Sequence, residues 1–375
     1  MNITLFTSAL TQLGADFYTG VPDSLLSPFT DHIMECCGVS ENHIVAANEG
    51  AAVGLAAGHY LATSKPAVVY MQNSGIGNAV NPICSLLHKE VYAIPVIFVI
   101  GWRGEPGTKD EPQHIFQGQA TLPMLKCLEI PYAVISEDTD LQPLVAEFEE
   151  HIKNGQSVAF VVRKDALKNE KKMKYATDAT LSREQALNKI IDTSGEDDIF
   201  VCTTGKLSRE VFEIREQKGM GHGHDFLTVG SMGHSLMIAY GIALAKPEKR
   251  IFCLDGDGAV LMHMGSLAVA GVSGLKNLVH IVVNNGAHET VGGLPAVSTH
   301  LNLQEIASKL GYSHVFRVDS EEGLLSTLKS LEDLDGHVFV EIMCNLFSRA
   351  DLGRPTTTPV ENKDALMAVL GKDAK

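Results

Sequence analysis

Cations are scarce in this 375-residue sequence: 30 Lys and Arg stand against 45 Asp and Glu, for a formal net charge of -15. Binding through nucleic-acid phosphates needs a basic stripe to displace condensed counterions, and no such stripe is present. The densest basic cluster, Lys168, Lys171, Lys172 and Lys174, lies in a polar segment and reads as a solvated linker. The seven cysteines, at 36, 37, 84, 127, 202, 253 and 344, are odd in number, with no CxxC spacing and no histidine at zinc-finger intervals. That pattern excludes a disulfide framework or a zinc module and leads us to expect a reduced, cytoplasmic chain. No apolar run reaches the roughly eighteen residues of a membrane span. The opening MNITLFTSALTQLG lacks the basic start and long apolar core of a secretory leader.

What is present describes a folded α/β protein. Hydrophobic residues make up 45%, too many for a disordered chain, and the length exceeds what one core usually fills, so two domains are expected. Apolar runs at Ile44 to Ala47, Ala67 to Met71, Pro95 to Ile100 and Ser157 to Val162 suit buried parallel strands, with Ala-rich helical stretches such as Gly50 to Leu61 between them. From Lys168 to about Asp178 apolar periodicity disappears. A helix from Arg183 to Asp192 and strands at Ile199 to Cys202, Phe226 to Val229, Arg250 to Leu254, Leu278 to Val283 and near Val338 to Met343 then resume the alternation. The expected fold is therefore two parallel-sheet α/β domains with helices on both faces, at 1–167 and 181–375, joined by a linker at 168–180. In such sheets ligands bind beyond the strand carboxyl ends.

Two of those ends carry chemistry. Gly256-Asp257-Gly258 follows one strand and Asn284-Asn285-Gly286 follows another, with 25 residues between Gly258 and Asn284. Glycines let the backbone approach a ligand closely, and a carboxylate with an amide oxygen forms a hard donor set suited to magnesium, which completes its shell with phosphate oxygens and water. A GDG triplet alone is a common turn; the pairing with NN across one strand-helix-strand unit describes a diphosphate site. The spacing resembles the fingerprint of the thiamine diphosphate-dependent enzymes. By that resemblance Asp257, Asn285 and the carbonyl of Ala287 hold Mg2+ against the cofactor's diphosphate, with Gly256 and Gly258 shaping the turn. In Gly230-Ser231-Met232, Met232 would be the apolar wedge under the bent cofactor and the Gly230 carbonyl an acceptor for its amino group. Read without the family, Met232 is core packing.

The same resemblance requires a glutamate that follows a strand, opens a helix and hydrogen bonds the far nitrogen of the aminopyrimidine. Glu49, in Asn48-Glu49-Gly50 before an Ala-rich helix, matches; without the family it is an acid favourable at a helix start. Asn73 and Gly75, in the loop Asn73 to Asn78, resemble the segment facing the pyrimidine. The chain is too short for the middle domain of larger members. It is similar to two-domain decarboxylases of this family, 2-oxo acid carboxy-lyases, through Thr19 to Leu26, Asn284 to Gly293 (NNGAHETVGG) and Ser348 to Pro355 (SRADLGRP). That implies conversion of 3-phosphonopyruvate to phosphonoacetaldehyde and carbon dioxide, as in the making of 2-aminoethylphosphonate-type phosphonates. Sulfopyruvate or another small 2-oxo acid is the alternative substrate; a non-catalytic or partner-dependent subunit is an alternative of another class.

A dianionic substrate on an acidic protein must meet locally gathered cations. Arg103 and Lys109, in the Gly- and Pro-rich stretch Gly101 to Gly118, and Arg349 and Arg354 near the C-terminus are the candidates. The stretch reads equally as a mobile lid or a plain surface loop. His114 within it is a candidate to relay a proton or bind the phosphonate, or else a solvent-exposed histidine, and Asp23, after the first strand, resembles the family's acidic residue near the substrate. The resemblance further implies self-association, at least as a homodimer, with each cofactor between the first half of one subunit and the second half of another.

Overall fold

The computed structural model describes residues 1–371. Its contacts divide into two units, Met1–Lys174 and a second beginning at Tyr175. In the first, β1 (Tyr18–Gly20), β2 (His43–Val45), β3 (Ala67–Gln72), β4 (Val96–Gly101), β5 (Tyr132–Ile135) and β6 (Val158–Val162) pair in parallel in the order β2-β1-β3-β4-β6-β5. Strands buried on both faces need apolar side chains on both, so β3, β4 and β6 read as nearly continuous apolar runs. Phe6, Phe29, Phe148 and Phe160 fill one face; the small side chains of helix Glu49–Thr63 let it pack tightly on the other through Ala52, Val53 and Ala56.

The second unit repeats the plan. Here β7 (Ile199–Cys202), β8 (Asp225–Leu227), β9 (Ile251–Gly256), β10 (Leu278–Asn284), β13 (His314–Val318) and β14 (Val338–Met343) run in parallel in the order β13-β14-β10-β9-β7-β8. A small antiparallel hairpin, β11 (Ala287–His288) with β12 (Leu294–Pro295), projects from the end of β10. In the first sheet the chain steps from β1 outward to β2 and then crosses to β3, and in the second from β7 to β8 and then to β9, so the connections diverge between β1 and β3 and between β7 and β9. The loops beyond those points are where an open α/β sheet leaves a crevice.

Several expectations need correction. The edge strands β5 and β13 escape the apolar-run criterion because they are half exposed, unlike the interior strands. The stretch Gly101 to Gly118 is not one loop: helix Pro112–Cys127 begins inside it, with Pro at its first position, where the missing N–H costs nothing. Nor is the remaining part a free lid. The Asp110 carboxylate accepts from Arg103 Nε at 2.9 Å, Arg103 Nη2 at 2.5 Å and the amides of Gly104 and Glu111 at 2.8 Å each, closing the loop on itself. The polar stretch 168–180 contains no helix or strand, yet Lys168 forms a bridge with Asn2.

Candidate active site

In the first unit, the Asn48 side chain caps helix Glu49–Thr63 by accepting from Ala51 N at 2.8 Å, which fixes Glu49 as the helix's first residue. Glu49 is 5% exposed, and its Oε2 accepts from Asn78 Nδ2 at 2.7 Å. A Cβ at Gly75 would lie 2.5 Å from Glu49 Oε1, so only glycine leaves that oxygen room. Glu49 and the Asn73 to Asn78 segment thus meet in one cradle, as a carboxyl presenting one oxygen to a flat heterocycle would need. Asn73 itself is a clamp: its side-chain amide donates to the Arg103 carbonyl and the Thr121 hydroxyl at 2.8 Å each, and its oxygen accepts from Arg103 N at 3.2 Å. With that side chain consumed, any contact from Asn73 to a cofactor must come from its backbone.

Asp23 is fully buried; its oxygens accept from Gln72 Nε2 at 2.8 Å and Leu25 N at 3.1 Å, and a Cβ at Gly101 would lie 2.3 Å from it. Burial raises its carboxyl above the ordinary aspartate value, opposed by the Gln72 hydrogen bond and the Arg103 charge. His114 is buried in the first turn of its helix, not solvent-exposed, and its Nδ1 makes no hydrogen bond. Burial, reinforced by the Arg103 charge, pushes its imidazole down to about 4, so it is neutral at physiological pH. Arg103 and the exposed Lys109 line a polar cavity of about 490 Å³ with Ser24, Asp110, Lys164 and Lys172.

In the second unit, Gly256 ends β9 and Asp257 opens the helix that follows, while Asn284 ends β10. Asp257 is 3% exposed; its carboxylate accepts from the Ser298 hydroxyl at 2.5 Å and from the amides of Asp257, Asn285 and Gly258. Burial raises it to about 6, and these neutral donors only partly oppose that. The Asn285 backbone amide reaches the Asp257 carboxylate, which brings the turn carrying Asn285 and Ala287 to it, and a carboxylate with amide and carbonyl oxygens is the hard donor type that suits a divalent cation. The residues therefore fit a magnesium ion. Asn284 donates to Glu341 Oε1 at 2.8 Å and accepts from Gly286 N at 3.0 Å, so its side chain braces the turn from the sheet side.

The Gly230 to Gly233 loop meets this turn. A Cβ at Gly258 would lie 3.4 Å from Met232 Cε and from the His288 ring. Ser231 holds φ at 53°, a left-handed conformation that a non-glycine residue adopts only where its surroundings enforce it. Beneath the donor set, Glu289 accepts from Asn285 Nδ2 at 3.0 Å, Arg183 Nη1 at 2.6 Å and Lys206 Nζ at 3.0 Å. Lys206 also donates to the Ser348 hydroxyl at 2.6 Å, so it joins NNGAHETVGG to SRADLGRP.

That junction accounts for Arg349, whose guanidinium is taken by Glu184 at 2.9 Å, Glu213 and Asp351. Arg349 braces the C-terminal segment and is not a free cation for substrate; Arg354 is exposed in the same segment. Gln72, Ser298 and Arg183 were not anticipated, and Asn78 and Glu289 only as members of the segments Asn73 to Asn78 and Asn284 to Gly293. Glu289 gave a signal, an acid four residues after Asn285; Ser298, 41 positions from Asp257, gave none.

Known proteins match both units of the chain. Residues 3–125 match the family model described as thiamine pyrophosphate enzyme, N-terminal TPP binding domain, and 203–342 match the corresponding C-terminal TPP binding domain. A phosphonopyruvate decarboxylase of Streptomyces viridochromogenes is 32% identical over 94% of this chain and 91% of its own length. The chain belongs to the thiamine pyrophosphate enzyme family. As a member of it, this enzyme works with thiamine diphosphate, the same cofactor under another name, and Mg2+. A second phosphonopyruvate decarboxylase, from Streptomyces hygroscopicus, is 30% identical over 94% of this thiamine pyrophosphate enzyme and 90% of its own length. A sulfopyruvate decarboxylase of Methanosarcina acetivorans is 26% identical over 81% and 83%, respectively. Among the described residues no helix is long and apolar enough to cross a membrane.

Proposed function

We propose that this thiamine diphosphate enzyme decarboxylates 3-phosphonopyruvate to phosphonoacetaldehyde and carbon dioxide. The observation that carries this reading is similarity at 30–32% identity extending over 94% of the chain to two phosphonopyruvate decarboxylases. The first domain, 1–167, serves the aminopyrimidine and the second, 181–375, the diphosphate, with 168–180 as linker. When bound, thiamine diphosphate supplies the electron sink for the bonding pair left as the carboxylate departs.

The chain's residues hold and proton-couple that chemistry. Glu49 offers Oε1, beside Gly75, to the pyrimidine ring nitrogen while Asn78 holds Oε2. Asp257, Asn285 and the Ala287 carbonyl bind Mg2+; Gly256 and Gly258 keep the turn open to the diphosphate, and the loop Gly230-Ser231-Met232 supports the cofactor. Asp23, whose burial favours its protonated form more than in an exposed aspartate, and the neutral His114 handle protons near the substrate. Lys109, Arg354 and Arg103, the last already paired with Asp110, are the cations proposed for the phosphonate. The enzyme works in the cytoplasm as at least a homodimer, each site drawing Glu49 and Asp257 from different copies.

The test is carbon dioxide release by the purified chain with thiamine diphosphate and Mg2+. Turnover of phosphonopyruvate in excess of sulfopyruvate supports the reading. Preference for sulfopyruvate moves the substrate to the alternative, and no release from any small 2-oxo acid favours a non-catalytic or partner-dependent subunit.

A further inference from the structure

We propose that Glu289 is a positioning residue that sets which atom of Asn285 faces the metal. The inference rests on the reading of Asn285 as a metal ligand. An asparagine amide has two nearly isosteric ends, and only its oxygen can ligate a cation. A carboxylate can only accept, so the end of Asn285 that meets Glu289 Oε2 at 3.0 Å must be the NH2. The oxygen is thereby turned the other way, where it accepts from Ala287 N at 3.1 Å and keeps a second lone pair for the cation.

Glu289 cannot rotate out of this task. Arg183 Nη1 holds the same Oε2 at 2.6 Å, and Lys206 holds Oε1 at 3.0 Å. Arg183 is itself fixed by two hydrogen bonds to Glu210, Nε to Oε2 at 2.6 Å and Nη2 to Oε1 at 2.7 Å. The chain Glu210, Arg183, Glu289, Asn285 is thus a rigid alternation of acceptor and donor that terminates at the metal. Such outer partners of metal ligands orient them, and their loss weakens binding by about 10- to 100-fold. A glutamine at 289 breaks the alternation, because its own NH2 must face either Lys206 or the Arg183 and Asn285 side.

The experiment measures Mn2+ affinity of the full chain by electron paramagnetic resonance of free Mn2+, at saturating thiamine diphosphate, for wild type, E289Q, N285A, N285D and N285D/E289Q. Melting temperature without metal and cofactor shows that each variant folds. We expect E289Q to weaken Mn2+ binding by about tenfold or more. In the N285D background, where two carboxylates would face each other, the sign reverses and E289Q strengthens binding. Loss in both backgrounds, or no loss in E289Q while N285A loses affinity, overturns the positioning role. Unchanged affinity in N285A instead overturns the metal-ligand reading beneath it. Should E289Q fail to fold, E289D decides, since its shortened carboxylate loses the 3.0 Å contact with Asn285: weaker Mn2+ binding than wild type is expected, and unchanged affinity contradicts the positioning role.

Discussion

Glu49 shows how a single side chain is prepared before any ligand arrives. One oxygen is held by Asn78 and the other lies where any side chain at position 75 would collide with it. Glu49→Gln keeps the size of that group and removes its acid-base function. We expect carbon dioxide release to fall by about 10²- to 10⁴-fold, with thiamine diphosphate and Mg2+ affinity unchanged by calorimetric titration. His114 yields a pH prediction. Its folded-state value, about 4, lies below the ordinary 6.5, so between those values the unfolded chain binds a proton that the folded chain does not. Stability therefore falls as the pH drops through that window. His114→Gln should flatten this decline in denaturant midpoints between pH 7 and 4; an unchanged slope would count against the burial argument. Asp257, Asn285 and Glu49 were legible because glycines and a strand end mark them in the sequence. Gln72 and Ser298 were not, since they reach the site through tertiary contacts that no local pattern records.

Among the elements, the segment after β4 changed most between sequence and structure. Its Gly, Pro and polar content suggested a loop through Gly118, but Pro112 starts a helix and Asp110 ties the preceding turn to Arg103, Gly104 and Glu111. The turn and the helix touch without intervening side chains: a Cβ at Gly104 would lie 1.8 Å from the His114 carbonyl oxygen, and one at Gly118 1.7 Å from the Gly104 oxygen. Gly104 also has φ at 66°. Gly104→Ala should destabilise the chain by more than about 1 kcal/mol in urea unfolding and reduce activity through displacement of Arg103; a neutral effect would mean that the turn is free to move. Interior strands such as β3 and β10 were readable as apolar runs because both their faces are buried. The edge strands β5 and β13 were not, because solvent permits polar residues on them.

At the scale of the whole molecule, length and net charge acquire mechanistic meaning. The first unit carries Glu49, Asp23 and the cation-lined cavity; the second carries Asp257, Asn285 and the Arg183 network. If each working site takes Glu49 from one copy and Asp257 from another, Glu49→Gln and Asp257→Ala chains, each inactive alone, should recover about a quarter of wild-type activity when remixed at equal amounts, as two-fold symmetry dictates. No recovery after exchange of subunits would assign both residues of a site to one chain. In an acidic chain the cations proposed for a doubly charged substrate, Lys109 and the Asp110-paired Arg103, share their cavity with Lys164 and Lys172, and substrate choice tests the account most directly. The decisive measurement is carbon dioxide release by the purified chain, with thiamine diphosphate and Mg2+, on phosphonopyruvate, sulfopyruvate and pyruvate side by side. The account predicts turnover of phosphonopyruvate well above the other two and its loss in Glu49→Gln; equal rates on all three, or none on any, would contradict it.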